Sequence, residues 1–345
     1  MNPPKDDFLH TEIRHIDIKK FNTIPLLKQF SHTALQAKNI ARAAHIYNDM
    51  LADKSCTIIL SLAGSLFSAG LKKVVYDLIE NNMVDVIIST GAIIVDQDFF
   101  EALGFKHYQG TYTANDSDLL KHSIDRIYDV FIDEDELRQC DMTIADIADH
   151  IHPQTYSSRE FIKYMGQYLR DNNKLNQSVV GLSHKKGVPI FVPAFSDSSA
   201  GFGLVYHQWD KQDKPHVAID SVKDFLEFTK IKIASQHTGI FMIGGGVPKN
   251  FTQDVTIAAH VLGKNVHMHK YAIQITVADE RDGGLSGSTL KEALSWGKVG
   301  KGHEQMVFSE ATVSLPLIAS YVYHSGLWKN RTAKKYNLFL DKQQI

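Results

Sequence analysis

The chain has 345 residues, which at about 150 residues per domain allows one large domain or two average ones. Apolar residues make up 43% and charged residues 22%, a globular balance that excludes a disordered chain and supplies a sizeable core. Lysine plus arginine number 37 against 39 aspartate plus glutamate, so no basic excess points to nucleic acid or an anionic membrane.

Met1-Asn2-Pro3-Pro4-Lys5-Asp6-Asp7 lacks the apolar stretch of a signal peptide. No run reaches the ~18 apolar residues of a membrane span. These features predict a cytoplasmic protein. Two cysteines, Cys56 and Cys140, are too few for a disulfide framework, and Cys56 reads as a small core residue.

Six runs read as strands: Cys56–Leu62, Asp85–Thr90, Val188–Ala194, Gly239–Gly244, Tyr271–Ala278 and Met306–Glu310. Most are continuously apolar, as strands covered on both faces require. Helical patterns fall at Leu71–Asn81, Val222–Lys230, Thr252–Leu262 and Ala311–Tyr323. In the first, Leu71, Val74, Val75, Leu78 and Ile79 repeat at helical spacing. Strands alternating with helices predict an α/β fold with a mostly parallel, Rossmann-like sheet flanked by helices. Strands of one character flank the polar, helix-rich stretch at about 116–176, so residues 1–345 read as one domain with an excursion covering the sheet edge. The acidic run Asp133-Glu134-Asp135-Glu136 suits a solvated helix start.

Ligands of doubly wound sheets sit at the C-terminal strand ends. Four such ends carry small or polar residues: Ala63–Gly70, Thr90-Gly91-Ala92 leading to Asp96, Ser196–Gly201, and Gly244-Gly245-Gly246. Each alone reads as a tight turn. Together they favour a nucleotide-type ligand, because glycine lets a phosphate approach the backbone. The pairs His150/His152 and His267/His269 have strand-face spacing, but no Cys or acid cluster completes a tetrahedral set, so no metal is expected.

Thr289 with Glu292 forms a capping box, and Gly297 suits the position after a helix end. One reading is a short capped helix followed by a surface lysine, Lys298. The other is a lysine partly desolvated beside Trp296, since desolvation favours the neutral amine that imine chemistry needs.

Ser295-Trp296-Gly297-Lys298 resembles the active-site segment of the deoxyhypusine synthase family. So do Asn82–Val86, the Ser196-Asp197-Ser198 turn, Gly244–Gly246 and Glu310-Ala311-Thr312, over roughly residues 40–325. The resemblance implies an NAD-dependent aminobutyl transfer from spermidine through a lysine Schiff base. It places the nucleophile at Lys298. Trp296 would wall the polyamine, while Glu292 and Asp282 would meet its ammonium ends. It places NAD contacts at Ser68, Thr90, Asp96, Asp197, Gly244, Gly245, Gly246 and Glu310. It also implies a homotetramer with NAD and active sites at subunit interfaces. The sequence departs from the family at several positions. The family usually has a histidine where Asn250 stands, and an asparagine where Asp254 stands. Asn250 is expected to cap a helix, with Gln253 completing the box; the alternative is a catalytic or substrate-binding group. Phe202 and Leu285 replace two acids that hold spermidine. A polyamine thereby loses charge partners, which favours a small-amine acceptor, as in a homospermidine synthase. The alternatives are a true deoxyhypusine synthase, acting on a lysine of translation factor 5A, and an NAD-binding protein without catalysis.

Overall fold

A computed structural model describes residues 4–175 and 177–343. Met1, Asn2, Pro3 and Asn176, the last residue of the polar stretch, lie outside the described residues. The central sheet holds β1 Cys56–Leu62, β2 Val86–Ser89, β3 Ile190–Phe191, β4 His237–Ile243, β5 Tyr271–Thr276 and β6 Glu304–Phe308. Their spatial order is β6-β5-β4-β1-β2-β3, with every neighbouring pair parallel. All six fall on the runs expected from sequence, and β3 is shortest because its partner β2 pairs only through Ile87 and Ile88.

The two faces of the sheet explain the continuous apolarity. Ile58, Leu60 and Leu62 of β1 join one core cluster, and Ile59 joins the other. The same alternation sends Phe241 and Ile243 of β4 one way, and Ile240 and Met242 the other. The covering helices used below are α1 Leu35–Ala52, α2 Lys72–Glu80, α3 Glu134–Asp149, α4 Ser199–Lys211, α5 Ser221–Ala234, α6 Gly246–Val261, α7 Leu290–Ser295 and α8 Ala311–Ser325. Tyr47 of α1, Leu78 of α2 and Ile318 of α8 fill the first face; Phe228 of α5, Val255 of α6 and Ala293 of α7 fill the second.

Helix α6 begins at Gly246, with Gly245 as its N-cap, so Asn250 lies inside the helix and caps nothing. The side chain of Gln253 turns to Met242 Sδ at 3.8 Å instead of closing a box. The polar stretch is also not purely helical. Ile124–Ile127 and Val130–Asp133 form an antiparallel hairpin that pairs with His107–Gln109. Its two-residue turn holds Tyr128 at φ 52°, a left-handed conformation more usual for Asn or Gly, which hid it from a sequence reading. The acidic run behaves as expected: Asp133 caps α3, accepting from Asp135 N at 2.9 Å.

Candidate active site

The chain leaves β1 for one half of the sheet and returns to β4 for the other, so their ends form the switch point where such sheets bind ligands. Leu62 pairs with Ile243, and beyond them run Ala63-Gly64-Ser65 and Gly244-Gly245-Gly246. A hollow of about 830 Å³ opens there, lined by Gly64, Ser68, Gly244, Gly245, Gly246 and Glu310 among others. The glycines are required by geometry. Gly244 has φ 76°, and a Cβ on it would meet the Ala63 carbonyl oxygen at 2.8 Å. A Cβ on Gly245 would lie 2.5 Å from Ser286 Cα. Gly246 N donates to Ser286 Oγ at 3.0 Å, and the positive end of α6 faces the hollow. Glu310 caps α8, its carboxylate accepting from Thr312 N at 2.8 Å and from the Thr312 hydroxyl. Tyr128 and Asp129 of the hairpin turn complete the wall, so the polar stretch reaches the switch point as well as the sheet edge.

Thr90, Asp96 and Asp197 sit apart from that lining, at the ends of β2 and β3. Asp96 Oδ1 accepts from Ser199 N at 2.7 Å, at the start of α4. Burial is the largest influence on Asp96 and pushes its carboxyl up to about 6; hydrogen bonds from Ser199 oppose the shift. Asp197 is exposed. The segments after β1 and β2, Phe67–Leu71 and Ala92–Phe99, are π-wound, a departure often found at functional sites. The buried Gln97 ties them together: its Oε1 accepts from Phe67 N at 2.9 Å and Ser68 N at 3.1 Å. Sequence reading missed Gln97, because a lone glutamine carries no motif.

The lysine segment folds as its residues dictate. Thr289 and Glu292 cap α7 reciprocally, at 2.5 Å and 3.1 Å. Gly297, at φ 70°, ends the helix: its N–H bonds Leu294 O at 3.0 Å, and Lys298 N bonds Ala293 O at 2.9 Å. These two bonds are a Schellman closure, and they aim Lys298 away from solvent. Its Nζ lies 2.5 Å from Asp254 Oδ1 on α6 and 5.1 Å from the centroid of the Trp296 ring. The Lys298 side chain is 13% exposed, in keeping with a lysine partly withdrawn from solvent beside Trp296, but α6 also brings Asp254 to the amine as an ion pair and Trp296 itself is 68% exposed. Glu292 is exposed and committed to its cap.

A groove of about 600 Å³ surrounds the pair, lined by Val222, Phe225 and Leu226 of α5, Ile257 and Val261 of α6, and Trp296. Lys249 is a further basic residue that sequence reading passed over. It is buried, and its Nζ donates to Ser288 O at 2.5 Å and Ser288 Oγ at 3.0 Å. Burial brings its amine down to about 8; the Glu292 charge opposes that shift and the Lys298 charge adds to it. Asp282 is exposed in the Glu280–Asp282 turn, and Asn250 is half-buried in the second turn of α6. Within one chain the structure brings neither Phe202 nor Leu285 to this groove.

Beneath the lysine runs a buried polar chain. Lys232 Nζ donates to Thr238 Oγ1 at 2.6 Å. The single hydroxyl proton of Thr238 then goes to His269 Nδ1 at 2.9 Å, leaving Nε2–H for the Thr252 carbonyl at 3.1 Å. His269 N in turn holds the Lys298 carbonyl at 2.9 Å. His267 stands near His237, at 6.1 Å between rings, and His150 ends α3. Among the described residues no group of three His, Cys, Asp or Glu is arranged to hold a metal.

Burial drives the Lys232 amine from 10.5 to about 7. Between those values the unfolded chain holds a proton that the folded chain does not. Stability therefore rises with pH across that window, and the full cost is felt below it. Lys232→Met is expected to raise the melting temperature by several degrees at pH 6 and by clearly less at pH 10. A gain independent of pH would assign the effect to packing alone.

The parallel sheet with its β1/β4 switch point defines a doubly wound α/β protein. The chain belongs to the deoxyhypusine synthase family: the model described as deoxyhypusine synthase matches residues 25–322. A deoxyhypusine synthase-like protein of Chlorobaculum tepidum is 61% identical over 342 residues, covering 99% of this chain and 97% of the relative. One from Coxiella burnetii is 55% identical over the same coverage. "Probable deoxyhypusine synthase 2" of Methanosarcina mazei is 40% identical over 96% of this chain and 95% of its own length. A crystal structure from Entamoeba histolytica carrying the deoxyhypusine synthase name superposes with a TM-score of 0.59 at 20% identity, covering 90% of this chain and 97% of that one. That likeness bears on the fold. No helix among the described residues is long and apolar enough to cross a membrane.

Proposed function

We propose that the chain is an NAD-dependent aminoalkyl transferase that takes an aminobutyl group from spermidine or a related polyamine and passes it to a small amine. The observation that carries this reading is the placement of Lys298: a primary amine held by a closed turn, beside one carboxylate and one aromatic face, in an apolar groove.

The switch-point hollow fits a dinucleotide. Gly244, Gly245 and Gly246 present bare backbone to the hollow at the start of α6, as a pyrophosphate site requires. Gly244, Gly245, Gly246 and Ser68 would hold NAD, with Glu310 and Asp96 as acceptors for ribose hydroxyls. Thr90 and Asp197 extend that site along β2 and β3. NAD supplies a reversible acceptor of hydride when bound.

Lys298 acts as the nucleophile. Its neutral amine attacks the carbon of a substrate imine, the carbon–nitrogen bond to the departing diamine breaks, and the butyl group remains on Lys298 as a Schiff base. An acceptor amine attacks the same carbon and releases Lys298. Trp296 packs along the chain of the substrate, and Asp254 meets an ammonium group. Asp282, Glu292 and Asn250 stand further out on the substrate path.

A small acceptor is favoured because the groove within one chain holds a single carboxylate, Asp254, and the two acids that by resemblance would hold spermidine are replaced by Phe202 and Leu285. The active form is a homo-oligomer, and by resemblance a tetramer. Phe202, Val205, Tyr206 and Trp209 form an exposed apolar stripe at helical spacing on α4, as an interface would. The lysine groove and the switch-point hollow share no lining residue; Asp254 lies about 12 Å along α6 from Gly246 at ~1.5 Å per residue. A subunit interface closing over both would complete the site.

Incubation with NAD and labelled spermidine, with and without putrescine, tests the proposal. Label is expected in homospermidine, with 1,3-diaminopropane released. Label on translation factor 5A without homospermidine would make the chain a true deoxyhypusine synthase. NAD binding without any transfer would make it a non-catalytic member of the family.

A further inference from the structure

The groove around Lys298 presents one carboxylate to more than one cation. Asp254 Oδ1 is 2.5 Å from Lys298 Nζ, and the remaining lining is apolar apart from Thr229. The face of Trp296 attracts the same ammonium from another side, at 5.1 Å. In the empty groove Lys298 is thus held as an ion pair, and an ion-paired ammonium has no lone pair with which to form an imine.

Asp254 is the more accessible partner. Its side chain is 29% exposed, against 13% for Lys298, so a molecule entering the groove reaches the carboxylate from the open side. An amine substrate carries an ammonium group, and an alkyl chain beside it would lie on Phe225, Leu226 and Ile257. Within one chain the walls offer no second carboxylate among the described residues. Two ammonium groups on one carboxylate in an apolar groove repel each other. The backbone of Lys298 is fixed by its turn and by His269, while a lysine's four-carbon stem has the rotational freedom to carry its amine off the carboxylate.

We propose that Asp254 is a counter-ion handed from Lys298 to the ammonium group of the substrate, so that a cationic amine entering the groove frees Lys298 for attack. The inference rests on Lys298 being the amine nucleophile. The Lys298 ammonium gives its proton to water at the groove mouth, Asp254 remains a carboxylate throughout, and the lone pair left on Nζ forms the new carbon–nitrogen bond. The enzyme thereby keeps its lysine less reactive toward stray carbonyl compounds until an amine substrate is bound.

Reductive alkylation tests this on the full-length protein without polyamine or NAD. Butanal with cyanoborohydride is added at neutral pH, and butylation of Lys298 is followed by peptide mass spectrometry. Butyltrimethylammonium serves as a permanent cation that cannot react. It is expected to raise labelling of Lys298 about fivefold in the wild-type protein, as loss of an ion pair worth about 1 kcal/mol implies. Asp254→Asn is expected to label at the raised rate without the cation and to gain nothing from it. Labelling of Asp254→Asn no faster than wild type would overturn the proposal. So would a cation that slows wild-type labelling by blocking the groove, a result that does not depend on the variant folding. If spermidine is not turned over while labelling responds as expected, the donor assignment fails and the hand-over stands.

Discussion

Lys298→Arg is expected to abolish aminobutyl transfer, by roughly a thousandfold or more, while the protein stays folded and binds NAD as before. The guanidinium keeps the positive charge and can pair with Asp254, but it stays protonated and forms no imine. The Schellman closure uses only the backbone of Gly297 and Lys298, so the turn does not sense the change. Nucleotide affinity is also insensitive, because Lys298 is absent from the lining of the switch-point hollow. Borohydride added during turnover should leave an aminobutyl mass on Lys298 alone in the wild-type protein. An adduct on Lys249 instead, or full transfer activity in Lys298→Arg, would remove Lys298 from the mechanism. Lys249 is the informative control, since it is a second buried amine on α6 and burial brings it down to about 8.

Gly245→Ala should weaken NAD binding tenfold or more and destabilise the fold by about 1–3 kcal/mol, the usual range for forcing extra atoms into a packed site. The added Cβ meets Ser286 at 2.5 Å from both Cα and Oγ. Relief requires moving either the backbone of Ser286 or the start of α6. Both carry the same contact, because Ser286 Oγ accepts from Gly246 N and Ser286 O accepts from Gln274 Nε2 at 3.0 Å. The displacement therefore reaches the amides that face the hollow. Calorimetric titration well below the unfolding temperature separates the binding loss from the stability loss. A folded variant with unchanged affinity would place the nucleotide elsewhere.

Much of the architecture is legible in the residues themselves. A strand covered on both faces must be apolar throughout, so Cys56–Leu62 and Tyr271–Thr276 announce themselves. Helix α7 and its end were equally plain, because a capping box and a glycine stop act between residues only a few positions apart. The clustering of glycine turns at strand ends was readable for the same reason.

The start of α6 was not. Gly-Gly-Gly-Val-Pro-Lys contains turn formers, and the polar Asn250 looks like the cap that follows a turn. The helix begins earlier because Ser286, distant in the chain, meets the Gly246 amide. Tyr128 in a left-handed turn is another case, held by hairpin pairing despite its side chain.

Legible in the residues alone were the six strands, the helices after Leu71, Val222, Thr252 and Ala311, the capped turn that presents Lys298 and, through its resemblance, the family; the long helix Leu35–Ala52 and Ser199–Lys211 were not. Packing at long range set the rest: Asp254, and not Glu292, pairs with Lys298, Lys249 is buried on Ser288, and Gln97 ties the two π-wound segments together. Caps, turns and strand faces depend on neighbours within a few residues, and a sequence displays those directly. Which carboxylate meets which amine depends on how α6 and α7 pack across the sheet, and that is settled by the shape of the whole core.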